Sequence, residues 1–165
     1  VFDDLEVLEV DAEIVHPLRT SVLRPHYREG RLAEFEGDEA PTTHHFAIGP
    51  ASESDGDEPL GVVSYIQQAA PEGIEAQAPW RLRGMAVVPE VRSEGLGSRL
   101  LEASLSRLSV LEPACDVIWC QARMTAADFY AQNGFERTGE PFEIPEIGRH
   151  VTMWRPAMQA MASSR

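Results

Sequence analysis

Between Trp80 and Ala122 the hydrophobic period changes twice, and this restricts the fold more than any other feature of the chain. WRLRGMAVVP, Trp80 to Pro89, reads as a strand that Pro89 ends because proline has no amide hydrogen to give a ladder. Leu96, Leu100, Leu101, Leu105 and Leu108 then recur at helical spacing until Glu112 and Pro113 stop the helix. DVIWCQA, Asp116 to Ala122, is a short apolar run suited to a buried parallel strand. Strand, helix and strand in that order form a right-handed crossover, so the spacing predicts a parallel pair inside a larger sheet.

The flanking segments supply the rest of that sheet. Phe2 to Val10 alternates apolar and acidic residues as an edge strand does, and Pro17 opens a short helix in which Leu18 and Val22 share a face and which Pro25 stops. His26 to Pro41 mixes charge and aromatics, with room for a second helical turn. HHFAIGP (His44 to Pro50) and LGVVSYIQQ (Leu60 to Gln68) form a hairpin across the acidic loop ASESDGDEP. Thr125 and Asp128 suggest a capping box, Asn133 and Gly134 a left-handed stop, and PFEI and VTMWR two closing strands. The tail PAMQAMASSR reads as loose or partner-dependent. The whole is an α/β chain, a mixed sheet with helices on its faces. With 165 residues, no internal repeat and no shift in composition, it reads as one domain over 1–156 with a tail over 157–165.

Composition removes several function classes. All fourteen basic residues are arginine, so a Walker P-loop, a protein kinase and a Schiff-base enzyme each lack their lysine. A net charge of -13 is the opposite of a nucleic-acid binder's footprint. Cys115 and Cys120 are too few for a disulfide framework or a thiolate zinc site, and read as small core residues in a reducing cytoplasm. No apolar stretch reaches the roughly 18 residues of a membrane span, and VFDDLEVLEVD is acidic where a signal peptide would be basic, so a cytoplasmic protein without membrane attachment is expected.

The chemistry concentrates in MAVVPEVRSEGLGSRLL, Met85 to Leu101, where two glycines separate a strand end from the leucine-striped helix. Such a turn either brings unhindered backbone N–H groups onto an anion at the helix start or merely packs a tight corner. RSEGLG, Arg92 to Gly97, resembles the R/Q-x-x-G-x-G/A signature of the GNAT superfamily of acyl-CoA-dependent N-acetyltransferases. MAVVP before it is similar to that superfamily's strand ending in a hydrophobic residue, Val and Pro, and ARMTAADFYAQNGF after it resembles its fourth helix with tyrosine and closing Gly-Phe. LRTSVLRP, RLRGMAV, WCQARMTAADFY and IGRHVTMW resemble a group of bacterial members with mostly unassigned acceptors.

The resemblance implies a GNAT-like fold of about seven strands and about four helices, with acetyl-CoA as cosubstrate and a small amine as acceptor. It places the pyrophosphate on the amides of Ser93, Glu94, Gly95, Leu96, Gly97 and Ser98, with Arg92 as the motif arginine and Glu94 turned away from the phosphates. Met85, Ala86 and Val87 match the strand residues that pair with the pantetheine arm, and an amide around Val87 would serve the oxyanion. Tyr130 matches the acid that protonates the leaving thiolate, and its other reading is a core aromatic beside Phe129. Arg123 stands where many relatives carry a cofactor-contacting asparagine, and either reaches CoA or pairs with Asp128.

The general base stays open. Arg81 falls where histone-acetylating members carry a glutamate, and His44, His45, Glu143 and His150 are candidates. Adjacent histidines on a strand face opposite ways, so His44 and His45 with Asp38 give no metal site. Strict alternation puts Arg81, Arg83, Met85 and Val87 on one sheet face, where the arginines would hold an anionic group of the acceptor or serve as ion-pair partners. Two other readings are an acyl-CoA-binding domain without catalysis and an interaction protein using the tail from Met158. A homodimer is compatible with each.

Overall fold

The computed structural model describes residues 4–50, 58–111 and 114–158. The loop around Asp55, the helix stop at Glu112 and Pro113, and all of the tail after Met158 lie outside the described residues. Seven strands form a mixed sheet in the order β1-β2-β3-β4-β5-β7-β6, and three α-helices accompany them among the described residues, one fewer than expected.

By internal contacts the chain divides into two units, Val1–Ile66 with Arg83–Ser104, and Gln67–Leu82 with Leu105–Arg165. The first holds β1 (Leu5–Val10) on the sheet edge, α1 (Ala12–Leu23), and the antiparallel pair β2 (His44–Pro50) and β3 (Gly61–Gln67, whose last residue belongs to the second unit). Val15 of α1 packs on Ala47, Val62 and Ala86, with Leu18 and Val22 alongside, which is the shared face their spacing predicts. Helix α1 begins five residues before the expected start, leaving Pro17 inside it. Proline there forfeits one hydrogen bond to the carbonyl four residues back, and Glu13, which carries it, is exposed. The anticipated second helical turn is absent: residues 24–43 run as turns, with Gly30 and Gly37 at positive φ.

Strand β4 (Pro79–Val87) and helix α2 (Leu96–Leu108) contribute to both units. Leu96, Leu100, Leu101, Leu105 and Leu108 are all fully buried, as the leucine stripe requires. In the second unit β4 pairs in parallel with β5 (Val117–Arg123) through Pro79–Val117, Trp80–Ile118 and Arg81–Trp119. β5 then pairs with β7 (Gly148–Pro156), which lies between it and β6 (Glu136–Ile144). The β6 ladder shifts register between Thr138 and Phe142, across Gly139 at φ +74° and Pro141, which donates no hydrogen bond. The short helix α3 (Ala127–Gln132) follows a 3-10 turn over Met124–Ala126. No side chain caps it, so the Thr125–Asp128 capping box does not form. Its stop is as expected, with Gly134 at φ +90° and the Phe135 amide donating to the Tyr130 carbonyl at 3.0 Å.

Candidate active site

The turn after β4 is built to leave amides unspent. The Val88 amide donates to Leu60 O at 2.8 Å, closing the strand, and one 3-10 turn over Pro89–Val91 follows. Arg92 donates through Nε to Val87 O at 3.3 Å, covering the last strand carbonyl. Ser93 at φ 78° and Gly95 at φ +79° are both left-handed, a conformation that costs a serine but not a glycine. The Glu94 amide is taken by Val91 O, whereas Leu96, Gly97 and Ser98 open α2, where first-turn amides have no partner within the helix. A Cβ built on Gly95 meets nothing within 4 Å, so the loop has open space above it. Amides at a helix start with space before them suit a phosphate, and the exposed carboxylate of Glu94 is the one feature that opposes it.

Upstream, the register with β5 ends at Arg81–Trp119. The backbone of Met85, Ala86 and Val87 is therefore not committed to that ladder, and an extended chain could pair with it as an added strand. Side-chain alternation breaks at Gly84, whose φ is +66°. Arg83 and Gly84, although adjacent, both face Arg19 and Asp38, while Val87 lies 3.4 Å from the Cβ position of Gly61, beside Leu100 of α2. The expected common face of Arg83 and Val87 is thus not formed, because a positive-φ residue shifts the pleat as a bulge does.

Beneath that break lies a buried polar network that sequence reasoning missed. Arg19, 0% exposed, donates from Nη1 to Asp38 Oδ2 at 2.6 Å and to Ala33 O at 2.9 Å, and from Nη2 to Ser64 Oγ at 2.8 Å. Asp38 also accepts from His16 Nε2 at 3.1 Å and from the Phe35 amide at 2.7 Å. Burial pushes the Asp38 pKa up, yet Arg19, the Phe35 amide and His16 outweigh it and hold the carboxyl below its ordinary value. His45 donates from Nε2 to Asp38 O at 2.9 Å, since a carbonyl only accepts. In the neutral ring Nδ1 must then accept from Ser64, 2.6 Å away. Both ring nitrogens are occupied, so His45 is no base for an acceptor. The available signal was Arg19 set between Val15 and Val22 on the core face of α1.

The other base candidates stand in different surroundings. His44 Nδ1 donates to Glu9 at 2.7 Å, and the buried His150 donates from Nδ1 to Gly148 O at 2.8 Å with its ring stacked on Phe142. Glu143 is exposed, opposite Arg149 on β7. Arg83 donates to Glu36 O and lies 3.8 Å from Asp38, so it is the ion-pair partner that one reading anticipated. Among the described residues no three His, Cys, Asp or Glu side chains converge as metal ligands do. Both cysteines are buried and unpaired, and burial pushes each thiol up to about 12.

In the second unit Tyr130 is 7% exposed on α3, edge-on to Phe129 and Phe135 with centroids 5.3 and 5.2 Å away. Arg123 ends β5 opposite His150, and Asp128 lies 3.8 Å from Arg137.

The family model for acetyltransferase (GNAT) domains matches residues 51–154. The uncharacterised N-acetyltransferase YitI of Bacillus subtilis is 32% identical over 151 residues, 92% of this chain and 95% of that protein. The chain belongs to the GNAT family. Its fold matches Escherichia coli ElaA with a TM-score of 0.66 at 17% identity, over 92% of this chain and 99% of that one. It also matches an aminoglycoside 6'-N-acetyltransferase complexed with coenzyme A, with a TM-score of 0.61 at 15% identity, over 93% and 97% of the two chains. This GNAT protein is an acetyl-CoA-dependent N-acetyltransferase with acetyl-CoA as cosubstrate.

Proposed function

We propose that residues 1–156 act as one catalytic domain that moves an acetyl group from acetyl-CoA directly to the primary amine of a small molecule in the cytoplasm. The observation that carries this reading is the loop from Arg92 to Ser98, left-handed at Ser93 and Gly95 and open above the start of α2. Each helix-terminus contact with an anion contributes about 0.3 to 1 kcal/mol when exposed. Several together outweigh a net charge of -13 whose field is screened beyond about 8 Å.

The free edge of Met85–Val87 holds the pantetheine arm as an added strand, and an amide around Val87 donates to the thioester oxygen as negative charge develops there. The amine lone pair attacks the carbonyl carbon and the C–S bond breaks. Tyr130 gives its phenolic proton to the departing sulfur, and the proton lost by the amine passes to solvent. A tyrosine with a reference pKa near 10 is protonated at neutral pH and suited to that donation. Arg123, at the end of β5, adds a contact to the CoA moiety.

Acetyl-CoA at about 100 times its dissociation constant should stabilise the protein by roughly 2.7 kcal/mol. Gly97→Glu, which puts a carboxylate at the phosphate site, should abolish the rise in Tm measured by calorimetry. A mutant that still responds to acetyl-CoA like the wild type would remove the loop from the site.

A further inference from the structure

Arg81 is the arginine on β4 that has no anionic partner among the described residues. It stands between Trp80 and Leu82, both 2% exposed, and is itself only half-buried, so a ligand in solvent can reach it. Its guanidinium donates from Nη2 to Gln121 Oε1 at 3.1 Å and lies 5.1 Å from the centre of the Trp119 ring. Nε is buried and meets no acceptor. Among the described residues its electrostatic neighbour is the thiol of Cys120, which burial keeps protonated, and no carboxylate there pairs with Arg81. Burial disfavours the charged form and lowers the pKa of Arg81, the direction an uncompensated cation should show.

The contrast with its neighbours is informative. Arg19 and Arg83 both find Asp38, and the chain carries 27 acidic residues against 14 basic ones, so carboxylates are plentiful. A partly desolvated guanidinium that meets no carboxylate among the described residues is costly to the fold unless an anion arrives with a ligand. Gln121 and the Trp119 face fix the group's orientation without neutralising it, and among the described residues one of its five N–H donors meets an acceptor.

We propose that Arg81 anchors an anionic oxygen group, carboxylate or phosphate, borne by the amine that is acetylated. This rests on the reading of the protein as a transferase acting on small amines, and it narrows the acceptors to amines with an acid group in the same molecule. A planar fork of donors suits both oxyanions.

The test pairs amines that differ only in the anion, glycine against glycinamide and phosphoethanolamine against ethanolamine, at physiological salt. Wild-type kcat/KM should favour the anionic member of at least one pair by about tenfold or more, and Arg81→Met should erase that ratio while the acetyl-CoA titration is unchanged. The pair that responds tells carboxylate from phosphate. Equal rates within both pairs, or a preference that survives in Arg81→Met, would overturn the proposal.

A second measurement needs no acceptor. Ligand-free Arg81→Met should melt higher than the wild type, because it loses an unpaired cation, and sodium malonate or sodium phosphate should raise the wild-type Tm more than the mutant's at matched ionic strength. A lower Tm in the mutant, or equal anion effects, would mark Arg81 as purely structural. Failure of acetyl-CoA to bind at all would instead sink the transferase reading and leave these melting results to decide Arg81.

Discussion

Asp38 keeps its charge in a place with almost no water because Arg19, His16 and the Phe35 amide all donate to it. His45 in the same network stays neutral for the opposite reason: burial lowers its pKa, the nearby charges of Arg19 and His16 lower it further, and the bond to Asp38 only partly compensates. The two groups destabilise the protein in different pH windows. Below about pH 6.5 the unfolded chain takes up a proton that folded His45 refuses, so stability falls as pH drops from 8 to 5, and a tenfold weaker proton affinity is worth about 1.4 kcal/mol. The Asp38 contribution is complete above about pH 4 and is lost as pH falls through its lowered folded-state value. Urea unfolding across pH 5 to 8 should therefore show a slope that His45→Gln flattens, and a slope equal in both proteins would remove His45 as its source. Tyr130 is buried among Phe129 and Phe135 as a core aromatic would be, so only chemistry separates its two readings. Tyr130→Phe keeps the ring and removes the proton, and turnover should fall about 10²- to 10⁴-fold with little change in acetyl-CoA affinity. Turnover at the wild-type rate would return Tyr130 to the core.

At the scale of elements, the conformation of β4 is set by what it presses against. Gly84 packs on the buried Arg19 guanidinium so closely that a Cβ would come within 2.6 Å of Nε, and its φ of +66° is one that side chains rarely adopt. Gly84→Ala should thus cost about 1 to 3 kcal/mol, read as a lower denaturation midpoint, with acetyl transfer lost along with it if the break in alternation positions Met85–Val87. An alanine variant with unaltered stability would show that the strand can relax at no cost. The leucine stripe of α2 and the apolar run of β5 were legible because periodicity reports burial directly. Helix α1 was only half legible: Pro17 reads as a start signal, yet it sits inside the helix at the cost of one bond to exposed Glu13. The Arg19–Asp38 pair was illegible because its partners are 19 residues apart and joined only by the irregular path through Phe35 and Gly37. A charged residue on an apolar helix face looks like a flaw in the pattern until its partner is known.

For the whole molecule, the chain has no lysine and a net charge of -13, so its cationic side chains are all arginines and histidines. No helix among the described residues is long and apolar enough to cross a membrane. The GNAT order of strands and the signature loop were readable from spacing and resemblance together, since both lie in short continuous segments. The division into two contact units was not readable, because each unit joins stretches far apart in the chain. The excess of acidic residues should draw cationic amines toward the surface, but salt screens that attraction and it governs encounter more than fit. What defines the protein is transfer itself. The most direct measurement follows CoA thiol release and N-acetylated product together, with acetyl-CoA and a panel of primary amines. The account predicts thiol release that depends on the amine, matches product one for one, and disappears in Gly97→Glu. Saturable acetyl-CoA binding with no amine-dependent loss of thioester would contradict it and make the protein a binding domain without catalysis.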